Sequence, residues 1–195
     1  GSASTGDSDF TALSGVAQRV TFSGNAGESQ TVNITLTADS KLEDDEQFSV
    51  RMSNSSKPTL MTITDTATVT ILNDDSATVT VHDNTTAEDS GPSVVRLSVD
   101  NPVQGGFWVT VIRDNGTANT SDSDFTGGTD NVSFAGNASE NQTVSVVLGS
   151  DLKVEDNETL TLRLGSVSRS GITITDTGTV TIQNDDSAAV TIADV

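Results

Sequence analysis

The sequence predicts an all-β protein built from tandem β-sandwiches, and three observations predict it. Short runs alternate apolar and polar residues with the period of a strand that has one face buried. Ser and Thr supply 55 of the 195 residues, and these small and β-branched side chains suit the exposed faces of strands. The string TVTILNDDSATV at 68–79 returns as TVTIQNDDSAAV at 179–190, so the chain repeats at about domain length.

In order, the alternating runs are QTVNITLTAD, EQFSVRM, TATVTIL, ATVTVHD, SVVRLSV, FWVTVIR, QTVSVVL, ETLTLRL and GTVTIQ, with turn-rich segments between them. Val144, Val146 and Leu148 point to one face, as do Leu160, Leu162 and Leu164. Trp108 is out of phase with Phe107, Val109 and Val111, which predicts an exposed indole. No segment carries a helical period. Asp65 and Asp176, in the repeated TITDT, read as turn residues that bond local backbone.

Three anchors align the halves: Asp7-Ser8-Asp9-Phe10 with Asp122-Ser123-Asp124-Phe125, LEDDEQF with VEDNETL, and Asn73-Asp74-Asp75-Ser76 with Asn184-Asp185-Asp186-Ser187. The offset drifts from 115 to 111, as loop insertions and deletions produce. Residues 76–115 carry strands of their own and have no counterpart before the first anchor. The expected organisation is therefore a complete repeat at 76–186, the carboxyl part of another at 1–75, and the opening strand of a third, SAAVTIADV, at 187–195. A sandwich short of its first strands exposes edges. Another segment, or another copy of the chain, is then a candidate to supply them.

A net charge of −19 argues against nucleic acid, because nothing in the chain can neutralise phosphates. No run of 18 apolar residues offers a membrane span, and no charged-then-apolar leader is present. The absence of cysteine excludes disulfides and zinc–thiolate sites. Nine of 13 Asn residues, among them Asn33, Asn115 and Asn141, lie in N-x-[ST] strings, which favours a glycosylated extracellular or cell-surface protein.

The acids fall at strand ends and in loops. In the complete repeat they are Glu88, Asp124, Asp151, Glu155, Glu158, Asp185 and Asp186; in the partial one, Asp9, Asp39, Glu43, Glu46, Asp74 and Asp75. If alternate loops of a sandwich meet at one pole, these carboxylates meet there too. Each pair about 4 Å apart then repels by roughly 4 kcal/mol at an effective dielectric of about 20. Nine Lys and Arg are too few to offset 28 acids, so a hard cation is the natural partner. Calcium suits an all-oxygen set drawn from several loops better than magnesium or zinc does. An EF-hand is excluded, because Asp122, Asp124 and Gly127 imitate its start but its twelfth position falls on Ser133.

Four stretches in one order, SATVTVHD followed by Glu88, GTANTSDSDF, VEDNE and TVTIQNDD, resemble the Calx-beta domain, and the resemblance covers essentially the whole chain. It implies a seven-stranded immunoglobulin-like sandwich with calcium near the pole where the last acidic motif leaves the sheet. By matching position, the seven acids of the complete repeat correspond to the ligand positions of calcium-binding members. Asn184 and Asn73 stand where strong binders carry a first Asp, and Ser150 and Ala38 replace another acid. The exchanges predict fewer ions or weaker binding, on the order of 10⁻⁴ to 10⁻³ M.

The functional expectation is a non-enzymatic calcium-binding spacer or adhesion module in a large extracellular or cell-surface tandem-repeat protein. Its partners would be calcium ions, neighbouring repeats, and a second copy or a cell-surface ligand. A filament subunit joined head to tail by strand complementation and a regulatory calcium sensor are the alternatives. His82, the single histidine, has no nucleophile in a motif beside it and reads as a surface residue.

Overall fold

The computed structural model describes residues 2–11 and 18–194. The chain divides into two compact units, Gly1–Asp74 and Asp75–Val195. In chain order the strands are β1 (Glu46–Arg51), β2 (Thr66–Ile71), β3 (Ala77–Val81), β4 (Asn84–Ala87), β5 (Ser93–Val99), β6 (Phe107–Asn115), β7 (Gly128–Phe134), β8 (Asn141–Val146), β9 (Glu158–Val167), β10 (Ile172–Thr173) and β11 (Thr177–Gln183). One short 3₁₀ turn covers Glu88–Ser90, and no helix is long and apolar enough to cross a membrane.

The second unit is a two-sheet sandwich. One sheet runs β10-β3-β5-β8 and the other β4-β11-β9-β6-β7. Every pairing is antiparallel except β10 with β3 and β11 with β4. These two exceptions arise because the first run of the repeat is shared between the sheets: β3 pairs in one, and β4 crosses to the other. Two aspartates hold the switch. Asp176 Oδ2 accepts the Val81 amide at 2.8 Å, and Asp83 Oδ1 accepts the Thr179 amide at 2.7 Å. Asp65 bonds the next amide, Thr66, as a turn residue does, but the bond of Asp176 spans 95 residues and is not local.

The core lies between the sheets. Val79, Val95, Leu97, Val109, Val111, Val146, Leu160, Leu162 and Val180 are fully buried, one side of each alternating strand. Each such side chain contributes about 1.5–3 kcal/mol on leaving water. Phe107 and Phe134 stack at 4.8 Å between centroids. Trp108 is 42% exposed, as its phase requires. The β7 strand was not legible as one, because its Gly, Asp and Asn residues read as a turn. Its inward Val132 and Phe134 are nonetheless buried.

In the first unit β1 pairs with β2 antiparallel, Glu46 opposite Ile71, and Phe10 stacks on Phe48 at 4.3 Å. QTVNITLTAD reads as a strand but forms only an isolated bridge, Leu36 to Phe10. Its counterpart becomes β8 by pairing with β5. No described residue of the first unit corresponds to β5, and an extended segment without a ladder partner is not a strand. Residues 187–194 likewise form no strand, and Val190 and Ile192 are each 97% exposed.

A further device repeats in both units. Glu140 accepts the amides of Ala135, Gly136 and Asn137, and Glu28 accepts those of Ser23, Gly24 and Asn25. At Glu140 burial alone would raise the pKa, but these amides and the Gln142 side chain overcome it and hold the carboxyl below its usual range.

Candidate metal centre

One pole of the second unit gathers carboxylates from loops far apart in sequence. Asp124 lies in the loop after β6, where Ser123 adopts φ 72° and Asp124 Oδ2 accepts the Asn119 amide at 2.7 Å. Gly149, just past β8, donates its amide to Asp124 O at 2.9 Å. Glu155 precedes β9, and Glu158 opens it. Glu88 begins the 3₁₀ turn after β4, and Asp185 and Asp186 follow β11.

These acids form two trios, Asp124-Glu155-Glu158 and Glu88-Asp185-Asp186. Within each, one ligand oxygen per residue lies within 4.8 Å of the others. A cavity of about 10 Å³, the room of one water-sized sphere, is lined by Glu88, Asp124, Glu155 and Glu158 and so joins the two. Asp151 belongs to neither trio. It adjoins them through its amide, which donates to Glu88 Oε1 at 3.2 Å, while its own Oδ1 accepts the Lys153 amide at 2.6 Å.

The electrostatics follow from this crowding. Burial, then the neighbouring Asp124 and Glu155, push Glu158 up to about 7, with Lys153 opposing. Glu88 is raised by burial first and then by Asp151, Asp186 and Glu155, against the Asp151 amide. Asp186 is raised by burial and then by Asp89, Asp185, Asp151 and Glu155. Lys153 pairs with Glu155 and is the cation beside this set. Asp186 Oδ2 is buried and accepts no hydrogen bond from any described residue.

Asn184 has a structural reason to be an amide. Its Oδ1 accepts the Glu155 amide at 2.9 Å while its Nδ2 donates to Asp186 O at 2.9 Å. An aspartate could accept the first bond but not donate the second. Asn184 therefore ties the loop before β9 to the segment after β11 and sets Glu155 near Asp186. Asp89 and Asp156 also face this pole and were missed in the sequence, where neither stands out from the other acids.

The first unit repeats the local bonds. Asp9 Oδ2 accepts the Ser4 amide, Asp39 Oδ1 the Lys41 amide at 2.8 Å, and Asn73 Oδ1 the Glu43 amide at 2.8 Å; Lys41 pairs with Glu43. Glu46 is buried at the start of β1 and Asp74 is exposed, while Asp75 is the first residue of the second unit. Both trios within 4.8 Å lie in the second unit, so among the described residues Asp9, Asp39, Glu43, Glu46 and Asp74 are not brought together in that way.

Two layers of strands with carboxylates gathered at one pole define the class, a β-sandwich with an acidic pole. The sequence model of the Calx-beta domain matches residues 1–75 and 73–194, and the chain belongs to that family. Among solved structures, the apo-form Calx CBD1 domain is similar at 22% identity and a TM-score of 0.50, over 57% of this chain and 100% of that one. CBD12 from CALX1.2 is similar at 23% identity and a TM-score of 0.50, over 56% of this chain and 46% of that one, less than half its length. These likenesses show the fold. No curated protein sequence matches the chain.

Proposed function

We propose that the chain is a non-enzymatic calcium-binding structural module, a spacer or adhesion element among neighbouring repeats of a larger extracellular or cell-surface protein. The observation that carries the calcium reading is the buried Asp186 Oδ2. It is an acceptor with no described hydrogen-bond donor, set among carboxylates whose pKa values are raised by burial and by one another. A divalent cation would supply the missing positive charge. The donor set is all oxygen, with no histidine or thiolate, which is the chemistry calcium takes.

In this reading Asp124, Glu155 and Glu158 hold one ion and Glu88, Asp185 and Asp186 another, with Asp151 beside them. Asp9, Asp39, Glu43, Glu46 and Asp74 are the corresponding acids of the first unit, and Asp75 opens the second; these form no such trio among the described residues, so both ions are assigned to the second unit. Residues 76–186 are one complete repeat, 1–75 the carboxyl part of another, and 187–195 the opening strand of a third. The NDD motif passes into the next repeat's first strand with no intervening linker, as Asp75-Ser76-Ala77 shows in the sequence, so charge neutralised there would stiffen the connection. Asn in place of Asp at 184 and 73 supports weak binding, suited to a compartment rich in calcium, and the nine sequons support the same placement.

Thermal melting in calcium, in magnesium and in chelator at equal ionic strength tests the reading. A ligand at 100 times its dissociation constant adds about 2.7 kcal/mol. Calcium should raise the transition of the second unit, and magnesium should raise it much less. Three superimposed curves would remove the proposal.

A further inference from the structure

The loops before β9 and β1 share one construction. In Asp151-Leu152-Lys153-Val154-Glu155, Asp151 Oδ1 accepts the Lys153 amide at 2.6 Å, Lys153 Nζ pairs with Glu155, and the Glu155 amide donates to Asn184 Oδ1 at 2.9 Å. In Asp39-Ser40-Lys41-Leu42-Glu43, Asp39 Oδ1 accepts the Lys41 amide at 2.8 Å, Lys41 Nζ pairs with Glu43, and the Glu43 amide donates to Asn73 Oδ1 at 2.8 Å. In each loop one carboxylate fixes the backbone of the lysine, and the ammonium reaches the next carboxylate along.

The ammonium of Lys153 stands where negative charge is densest. Arg113 and Arg163 pair with Asp130 and Asp114, which belong to neither trio, whereas Lys153 pairs with Glu155, which does. Asp122 and Asp151 also act on Lys153. We propose that Lys153 is a tethered counter-ion of the acidic pole: its ammonium holds Glu155 while the pole carries no divalent ion and gives that carboxylate up when calcium binds. Lys153 then supports the calcium-free fold and lowers the calcium affinity at the same time. This role rests on the calcium reading of the trios.

Two properties fit Lys153 to the part. A lysine carries a compact charge on a flexible four-carbon stem. Its side chain is 65% exposed where that of Glu155 is 19%. Nζ can therefore swing into water while Asp151 and Asn184 keep the loop backbone in place. A divalent ion repels the ammonium twice as strongly as a unit charge at the same distance does, so the two do not share Glu155 without loss. For an ion pair this exposed, the loss corresponds to about a two- to fivefold change in affinity.

Isothermal titration of the full chain with calcium chloride at pH 7, read beside urea unfolding in chelator followed by Trp108 fluorescence, tests the proposal. Lys153→Met removes the charge and keeps the stem, and Arg163→Met removes a charge of the same unit from a pair outside the trios. Lys153→Met should bind calcium about two- to fivefold more tightly than the parent and unfold at lower urea in chelator. Both differences should shrink in about 1 M sodium chloride, where exposed charges are screened within about 3 Å. Arg163→Met should shift the calcium affinity by less than half as much, and Lys153→Arg should bind no more tightly than the parent. A Lys153→Met chain that binds calcium no more tightly than Arg163→Met would overturn the competition, and one as stable as the parent in chelator would overturn the counter-ion role. A parent chain without calcium heats would refute the calcium reading and the competition with it, and the urea titration in chelator would still decide the counter-ion role.

Discussion

Replacing Glu158 with Gln should make the second unit more stable in chelator, relative to the unaltered chain, and calcium should cancel or reverse that advantage. Glu158 shares its trio with Asp124 and Glu155, with ligand oxygens within 4.8 Å. At that separation each ionised pair repels by about 3.5 kcal/mol at an effective dielectric of about 20. All three carboxylates are half-buried, so solvent and salt screen part of this, and Lys153 offsets part of the rest. A net gain of about 1–3 kcal/mol at pH 8.5 is the expectation after that discount. In calcium at 100 times the dissociation constant the variant forfeits the roughly 2.7 kcal/mol that the ligand confers, so its advantage is cut to at most a few tenths of a kcal/mol or reversed. Urea unfolding followed by tryptophan fluorescence isolates the effect, since Trp108 is the single tryptophan and lies in the second unit. A Glu158→Gln chain that is weaker than the parent in chelator would refute the reasoning, as would one that gains as much from calcium.

Three further outcomes are expected. In chelator, the folded protein holds a proton on Glu158 up to about 7 that the unfolded chain releases near 4.5, so this group makes stability fall as pH rises through that window. The stability difference between the parent and Glu158→Gln should accordingly vanish below about pH 4.5 and reach its full size above about pH 7, as parallel urea titrations would record. Asp185→Asn with Asp186→Asn should reduce the calcium-induced rise in melting temperature without abolishing it, because both acids belong to one trio and Asp124, Glu155 and Glu158 remain to hold the other ion. Gly136→Ala should cost more than Gly24→Ala by about 1–3 kcal/mol in paired melts: both glycines have φ near 90°, but only at Gly136 would the added Cβ strike a backbone oxygen, Val103 O at 2.0 Å.

The fold was legible where one face of a strand is apolar. Leu160, Leu162 and Leu164 mark β9, and Val144 and Val146 mark β8, because period-two burial writes itself into composition. It was not legible where the partner decides. QTVNITLTAD alternates as cleanly as its counterpart, yet a strand needs a neighbour, and sequence alone does not say which neighbour is missing. Duplication at matched positions singled out Asp124, Asp151, Glu155, Glu158, Asp185 and Asp186, while Glu88 has no counterpart and stood out only by the family resemblance; all of these but Asp151 fall in the two trios. Their division into two trios was not legible, because it depends on which loop each leaves and where the loops meet. Asn184 looked like a loss of charge, and its two hydrogen bonds, accepted from the Glu155 amide and donated to Asp186 O, become visible only once those loops stand side by side.

Isothermal titration of the full chain with calcium at pH 7, in two buffers of different ionisation enthalpy, addresses the central claim most directly. The expected result is binding with a dissociation constant on the order of 10⁻⁴ to 10⁻³ M, accompanied by proton release, because calcium displaces the proton that Glu158 holds up to about 7. Heats no larger than those of dilution, or binding with the same enthalpy in both buffers, would contradict it.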